Sequence, residues 1–590
     1  MPPYAWDKLR ADARRVVAAA TKDDSAARLE IITPPAGVEA DLASPLFGLA
    51  KAHGRNPLQF AEEIERAASI VGSPFARVQA QRGYLNFFID WPAFSTSVFA
   101  DFAASGDNYG RSEAGDGKTI VIDYSSPNIA KPFSIGHLRS TVIGQSLYNI
   151  LSYVGYKVVG DNHLGDWGTQ FGKLMAAYKR WSDTVTMEAT PIKAMLELYV
   201  RFHNEAKTNP ELERDGRDWF RKLEEGDAEA ISLWTWFREL SVREFDRIYT
   251  MLGVKFDCVL GESFYNDRLA DVVAKAFEKG IAEWAPALVS QKSGAIDEPI
   301  KEEEKVALVR LAAYGIPTPL LLQKSDGTSL YATRDIAAIA HRMRTWKPAQ
   351  VLYVVGGEQK LYFQQCFKVF ELLGYDAKCV HVWFGLIRLP EGRMSTREGR
   401  VVFLEDVLRE AVERAHTVIQ DRDMTPDMKD QVARMVGIGA VKYADLSQDR
   451  TKDVVFDWNR MLSLGGDSAP YIQYAHTRAV SILRKAGAEA LDLQSVVPGQ
   501  LVDETERHLV KTLARFPEVV ELAAADYAPH RVASYLFELA QGFNRFYREV
   551  PVLKAEEGSL VATRLKLVDF VRIVIRNGMA LLGIECPESM

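Results

Sequence analysis

Apolar residues along the chain keep two different periods. Leu138, Val142, Ile143, Leu147, Ile150 and Leu151 recur every three to four positions, the spacing of one helix face. By contrast "TIVIDY" (119–124), "YKVVGDN" (156–162), "QVLYVVG" (350–356) and "KCVHVWFGLI" (378–387) are short β-rich runs, most of them closed by polar or turn residues, as buried strands are. A helical period in "QKLYFQQCFKVFELLGY" (359–375) separates the last two. Strands alternating with helices from Thr119 to about Glu405 predict an α/β fold: a doubly wound, parallel, Rossmann-like sheet in a domain over 116–424. Residues 173–297, rich in Trp, Phe and charge, predict a mostly helical insertion, and "DEPIKEEEK" (297–305) a solvated loop or helix end.

The flanks differ from this middle. Residues 1–110 predict a small α+β domain that opens on a helix. There Asn56, Pro57 and Gln59 give a helix start, and "FARVQAQRGYLNFFID" (75–90) a strand pair turning near Gly83. The Gly-, Ser- and Asp-rich stretch 104–118 predicts a linker. After Thr425-Pro426, a strong cap and first-turn pair, helical periodicity continues to Met590, predicting an all-α bundle over 425–590.

Composition changes this picture little. A chain of 590 residues exceeds one core, 47% hydrophobic and 26% charged residues are ordinary for a globular protein, and no apolar run reaches a membrane-spanning length. The N-terminus mixes acids and bases and shows no leader, so a cytoplasmic protein is expected. Cys258, Cys366, Cys379 and Cys586 are widely spaced, which argues against disulfides and against a thiolate zinc site. The net charge of −7 gives no support to a nucleic-acid partner, yet a basic face on a large acidic protein remains compatible with one.

The chemistry gathers in "SSPNIAKPFSIGHLRST" (125–141), between the first strand of the sheet and the helix after it. Ligands of open α/β sheets bind in that crevice, and a helix N-terminus there offers free N–H groups and a positive dipole end to phosphate. Gly136 lets a nucleotide approach, and His137 can donate to a phosphate oxygen; no P-loop sequence is present. A second stretch, "GRMSTREG" (392–399), is a basic, hydroxyl-bearing loop after a late strand. Either stretch alone reads equally well as a turn. Together, "SIGH" and "RMST" resemble the signature pair of class I aminoacyl-tRNA synthetases.

Neighbouring segments narrow the resemblance. "DNHLGDWGTQFGKL" (161–174), "LYATRDIA" (330–337), "APYIQYAHTRA" (469–479) and the terminal "LLGIECPESM", with the two signatures, closely resemble the arginyl-tRNA synthetase family, in order from about residue 80. The resemblance implies arginine activation by ATP, entering with Mg2+ as a substrate, then transfer to the terminal ribose of tRNA(Arg). It implies no protein-bound structural metal, a monomer, and activation that requires bound tRNA. Lys131, Ser134, Gly136, His137, Arg393, Met394, Ser395 and Thr396 would serve the nucleotide. Ser126, Pro127, Asn128, His137, Asn162, Tyr331, Asp335 and Gln359 would bind arginine, with Tyr331 and Asp335 one helical turn apart. The flanking domains would contact tRNA, the helical one at the anticodon and the N-terminal one at the outer corner.

Three departures stand out. Ser134 occupies the usual place of a first histidine, Thr396 that of a signature lysine, and Lys157 that of a glutamate found in many relatives. The resemblance assigns the missing signature charge to Lys131. A cysteine-specific synthetase would need a zinc-bound thiolate set, which the sequence lacks, and a non-ligating derivative would carry damage beyond Ser134.

Overall fold

The computed structural model describes residues 3–34, 38–129, 131, 133–185, 187, 190–286, 305–325, 327–388, 402–419, 424–487, 495–555 and 557–590. At the N-terminus, helix α1 (Ala5–Thr21) and helix α2 (Pro57–Ala67) cover an antiparallel sheet of order β1-β3-β2, comprising β1 (Leu42–Pro45), β2 (Phe75–Gln81) and β3 (Tyr84–Ile89). The Asn56 side chain accepts from the N–H groups of Leu58 and Gln59 and so starts α2. Arg82 and Gly83 both take positive φ (52° and 82°), the twist a two-residue hairpin requires.

The central sheet is parallel, in the order β10-β9-β4-β5: β4 (Thr119–Asp123), β5 (Lys157–Asp161), β9 (Gln350–Tyr353) and β10 (Lys378–His381). The chain leaves β4 to one side for β5 and returns on the other for β9, so the winding reverses between β4 and β9. Alternation along β4 separates two cores. Ile120 and Ile122 pack with Leu138 and Val142 of helix α3 (Leu138–Tyr153), while Val121 packs with Ile336 of the opposite layer.

After β5 a run of four helices ends in α4 (Ala228–Leu252), as the sequence predicts, and a further helix spans Leu269–Glu278. An antiparallel sheet that the sequence does not predict follows: β6 (Ala282–Pro286), β7 (Lys305–Val309) and β8 (Leu320–Lys324). Most of "DEPIKEEEK" lies outside the described residues. Leu320 and Leu322 of β8 pack on Ile336 of α5 (Tyr331–Trp346), and β9 leads through a short turn into α6 (Lys360–Leu372).

The C-terminal helices begin with α7 (Pro426–Leu446), capped by the Thr425 hydroxyl, and end with α8 (Gly558–Leu581). The stretch whose composition suggests a linker is in fact anchored. Tyr109 is buried, its hydroxyl donates to the Leu513 carbonyl (3.2 Å), and Asn577 donates to the Asp107 carbonyl (2.8 Å). No helix among the described residues is long and apolar enough to cross a membrane.

Candidate active site

The crevice forms where β4 ends. Ser125 and Ser126 both take positive φ (68° and 46°), a conformation that costs non-glycine residues energy and persists only when held from outside. Here the holding bonds come from four directions. The Ser125 N–H donates to Ser140 Oγ (2.9 Å) on α3, and Ser125 Oγ meets Tyr249 OH (2.9 Å) on α4. The Ser126 N–H donates to Asn162 Oδ1 (3.1 Å) after β5, and Ser126 Oγ donates to Asp123 Oδ1 (2.8 Å). Asn162 Nδ2 in turn donates to Tyr249 OH (3.1 Å), so both ends of that amide engage protein groups. Pro127 lends its carbonyl to the Gly165 N–H (3.1 Å). Asn128 is exposed and packs so closely over Gly165 that a Cβ there would lie 2.1 Å from Asn128 Oδ1.

One turn of 3-10 helix, Ile135–His137, leads into α3, with Gly136 exposed at its mouth. The Ser134 N–H donates to His137 Nδ1 (3.1 Å) and its hydroxyl lies 3.2 Å from the same nitrogen. A backbone N–H cannot accept, so Nδ1 is the acceptor and the ring proton sits on Nε2. Burial and the positive field of Lys131, with the Ser134 bond opposing them, leave the His137 pKa at about 4. The imidazole is therefore neutral near pH 7, with one N–H to offer. In the place of the usual histidine, Ser134 caps this turn.

On the other side of the sheet, α5 begins with Tyr331 and carries Asp335 one turn later. Tyr362 of α6 donates its hydroxyl to Asp335 Oδ2. Among the described residues Asp335 forms no ion pair, and burial raises its pKa, with His163 and the Tyr362 bond opposing. Two turns further along α5, buried Arg342 donates from Nη2 to Asp123 Oδ2 and Asp161 Oδ2, 2.7 Å each. Gln359 is exposed on the turn between β9 and α6.

Sequence reasoning missed three residues here. His163 donates from Nδ1 to the Leu260 carbonyl (2.8 Å); burial would lower its pKa, but Asp123, Asp335 and Asp161 outweigh burial and raise it. Glu262 is pinned by its N–H to the Leu164 carbonyl (2.9 Å), while the next residue, Ser263, donates twice to Asp166. Burial pushes the Glu262 carboxyl up to about 7, with His163 and Arg334 opposing. Arg342 is the third. Only the length of the "DNHLGDWG" segment hinted at any of this, because each partner lies 97 or more residues away.

Arg393, Met394, Ser395 and Thr396 lie outside the described residues. The segment just beyond them is firmly placed against the first signature: the Ile135 N–H donates to the Val402 carbonyl (3.1 Å) and the Leu404 N–H to the Phe133 carbonyl (2.9 Å). Arg247 of α4 clamps Glu405 with two bonds, 2.6 and 2.5 Å.

Comparison with known proteins agrees with this geometry. The family model described as class I tRNA synthetase (R) catalytic domain matches residues 101–458, more than half the chain. The DALR anticodon-binding domain matches 472–590 and the arginyl tRNA synthetase N-terminal domain 7–89. An arginine–tRNA ligase of Clostridium perfringens is 42% identical over 586 residues, 98% of this chain and all of that protein. The crystal structure of the Thermus thermophilus arginyl-tRNA synthetase superposes with a TM-score of 0.78 at 25% identity, covering 99% of this chain and 100% of that one. That of Plasmodium falciparum gives 0.79 at 23%, with 99% of each chain covered. The chain belongs to the arginyl-tRNA synthetase family, class I ligases that join arginine to tRNA.

Proposed function

We propose that the crevice at the ends of β4 and β9 forms arginyl-adenylate, and that the helical C-terminal domain presents tRNA(Arg) to it. One observation carries the arginine assignment. Asp123 and Asp161 have Arg342 between them, while Asp335, beside the same carboxylates, has no ion-pair partner among the described residues and feels His163 and Arg342 only through their fields. A substrate guanidinium supplies it, as a planar fork suited to a carboxylate. Tyr331 and Gln359 flank that fork, and Asn162 and Ser126 fix the loop on which Pro127 and Asn128 face the amino acid's polar end.

In the first step an arginine carboxylate oxygen attacks the α-phosphorus of ATP and pyrophosphate leaves with its bond electrons. ATP enters as its magnesium complex, a substrate. The chain's residues position and stabilise charge: the free N–H groups at the start of α3 face the α-phosphate past Gly136, and His137 donates from Nε2. Lys131, whose field already reaches His137, meets the pyrophosphate from one side. Arg393 and the hydroxyls of Ser395 and Thr396, carried on the loop with Met394, meet it from the other. In the second step a terminal ribose hydroxyl of tRNA takes the arginyl group and AMP leaves.

The tRNA reading is supported by a cavity of about 480 Å³ between the C-terminal helices, lined by Arg478, Lys485, Lys554, Tyr474 and Tyr547. Arg478 lies 4.8 Å from each of the two tyrosine ring centres, and such aromatic and cationic surfaces suit unpaired bases. We place the enzyme in the cytoplasm as a monomer. The test is ATP–pyrophosphate exchange with each amino acid, with and without tRNA(Arg). Exchange with arginine and tRNA together is expected; exchange driven by another amino acid, or none under any condition, overturns the reading.

A further inference from the structure

Two residues after His137, the Arg139 guanidinium is buried and reaches α7, the first of the C-terminal helices. Its Nε donates to Asp445 Oδ2 (2.9 Å) in the last turn of α7, and its Nη1 donates to the Lys452 carbonyl (2.8 Å). Both side chains are almost fully buried, at 1% and 2% exposure. Placement at a helix C-terminus favours a cation, and burial raises the Asp445 carboxyl while Arg139 lowers it.

The turn that Arg139 holds also meets the strand that precedes the second signature in the chain. Asp453, one residue beyond Lys452, accepts from the Leu386 N–H (2.8 Å) and from Arg388 Nε (2.8 Å). Arg388 ends the described strand that leads towards "GRMSTREG" and pairs with Val455. The rest of α3 is fastened to the same domain, since Ser146 and Asn149 donate to the carbonyls of Leu581 and Ala580 at the end of α8 (3.0 Å each). The seam from Asp445 to Val455 therefore touches the helix of the first signature and the strand before the second.

The pair itself is incomplete. An arginine and a carboxylate can share two parallel bonds, yet this one makes a single bond. Arg139 Nη2 and Asp445 Oδ1 are buried with no hydrogen-bond partner among the described residues. A second, parallel bond from Nη2 to Oδ1 would complete the fork and satisfy both buried atoms.

We propose that Arg139 and Asp445 form the positioning link through which tRNA bound on the C-terminal domain sets the start of α3, and with it His137, for adenylation. The link rests on the tRNA reading above. Neither residue touches substrate. Closing the second bond is the arrangement that tRNA favours.

The test uses the full-length chain. Asp445→Asn keeps the Oδ acceptor and the volume but removes the charge that favours a second bond. With tRNA(Arg) saturating, its exchange rate is expected to fall about ten- to a hundredfold, the usual range of a coupling between sites. The KM values for arginine and ATP and the Kd for tRNA should stay within about twofold. In the parent, a tRNA bearing substituted anticodon bases should lower the saturated exchange rate, and in the variant this difference should vanish. A rate per folded molecule equal to the parent's, or an anticodon effect that persists, overturns the proposal whether or not the melting temperature moves. If Asp445→Asn does not fold, Arg139→Lys, which keeps the charge but cannot fork, gives the same readout. A parent that fails to exchange with arginine and tRNA overturns the function reading instead, so the two failures are distinguishable.

Discussion

Asp123 and Asp161 at the strand ends and Asp335 on α5 are the same chemical group in neighbouring places. The first two are closed by Arg342, which the chain carries on the very helix that bears Asp335. Asp335 is left with a tyrosine hydroxyl and a raised pKa, which costs the folded enzyme stability until a cation arrives. On the function proposed above, one set of carboxylates is structural and the other awaits the substrate guanidinium. What separates them is the partner and the exposure: Asp123 and Asp161 are buried against Arg342, while Asp335 is half-buried with no such pair.

The largest effect should come from exchanging these fates. Arg342→Ala leaves two buried carboxylates unpaired, and breaking such a pair costs about 3–5 kcal/mol; thermal melting should show the catalytic domain unfolding at markedly lower temperature. Asp335→Ala should instead keep the melting temperature and lose at least about a hundredfold in arginine kcat/KM, since the same order of energy is removed from the complex, while the KM for ATP holds. A stable Arg342→Ala enzyme, or an Asp335→Ala enzyme with an ordinary KM for arginine, would break the contrast.

Next in size is the phosphate side. Removing one preorganised donor typically costs about 10²–10³ in rate, so Lys131→Ala should slow adenylation by that factor without altering arginine affinity. Adding Thr396→Lys in that background should restore part of the loss. An unchanged rate in Lys131→Ala would move the charge to Arg393 or Arg397.

The pH dependence sharpens the comparison further. With burial raising the Glu262 carboxyl to about 7 beside Asp335, the free enzyme holds a proton on Glu262 that competes with a guanidinium for this negative field. The KM for arginine should therefore rise as pH falls from 8 to 6, and binding should release protons measurable by titration in buffers of different ionisation heat. The linkage sign follows: carboxyls raised in the fold favour it at low pH and oppose it as pH rises, so added arginine should stabilise more at pH 8 than at pH 6. His137, at about 4, contributes no step in this window. A flat profile would exclude Glu262 from the pocket.

The smallest effect tests the loop's supports. Tyr249→Phe removes a hydroxyl shared by Ser125 and Asn162. Losing a net bond of about 1 kcal/mol corresponds to roughly fivefold, expected in kcat with the fold intact. No change would leave the two serines held by the remaining bonds alone.

Much of this was legible in the sequence, for local reasons. The parallel strands, α3, the Gly83 hairpin and the Thr425 cap each carry their signal within a few residues. The signature segments announced the crevice because backbone geometry and chemistry coincide there. Arg342, Glu262 and the support that Tyr249 gives the loop were not legible, since nothing near Asp123 in the chain says that a guanidinium 219 positions away will close it. The β6–β8 sheet was hidden for a different reason: its first strand, "AEWAP", is half exposed and too short to show a period. The composition of 104–118 suggested a free linker because one buried tyrosine weighs little among so many small polar residues.

Ser125 and Ser126 also constrain the order in which the enzyme assembles. Each is held in a backbone conformation costing about 1–3 kcal/mol for such residues, and the groups that hold them come from β4, α3, the end of β5 and α4. Those segments span more than a hundred residues and must be in place before the loop gains by turning over. The reactive corner is then set late in folding and released early on warming, so activity should fade before the sheet beneath it melts.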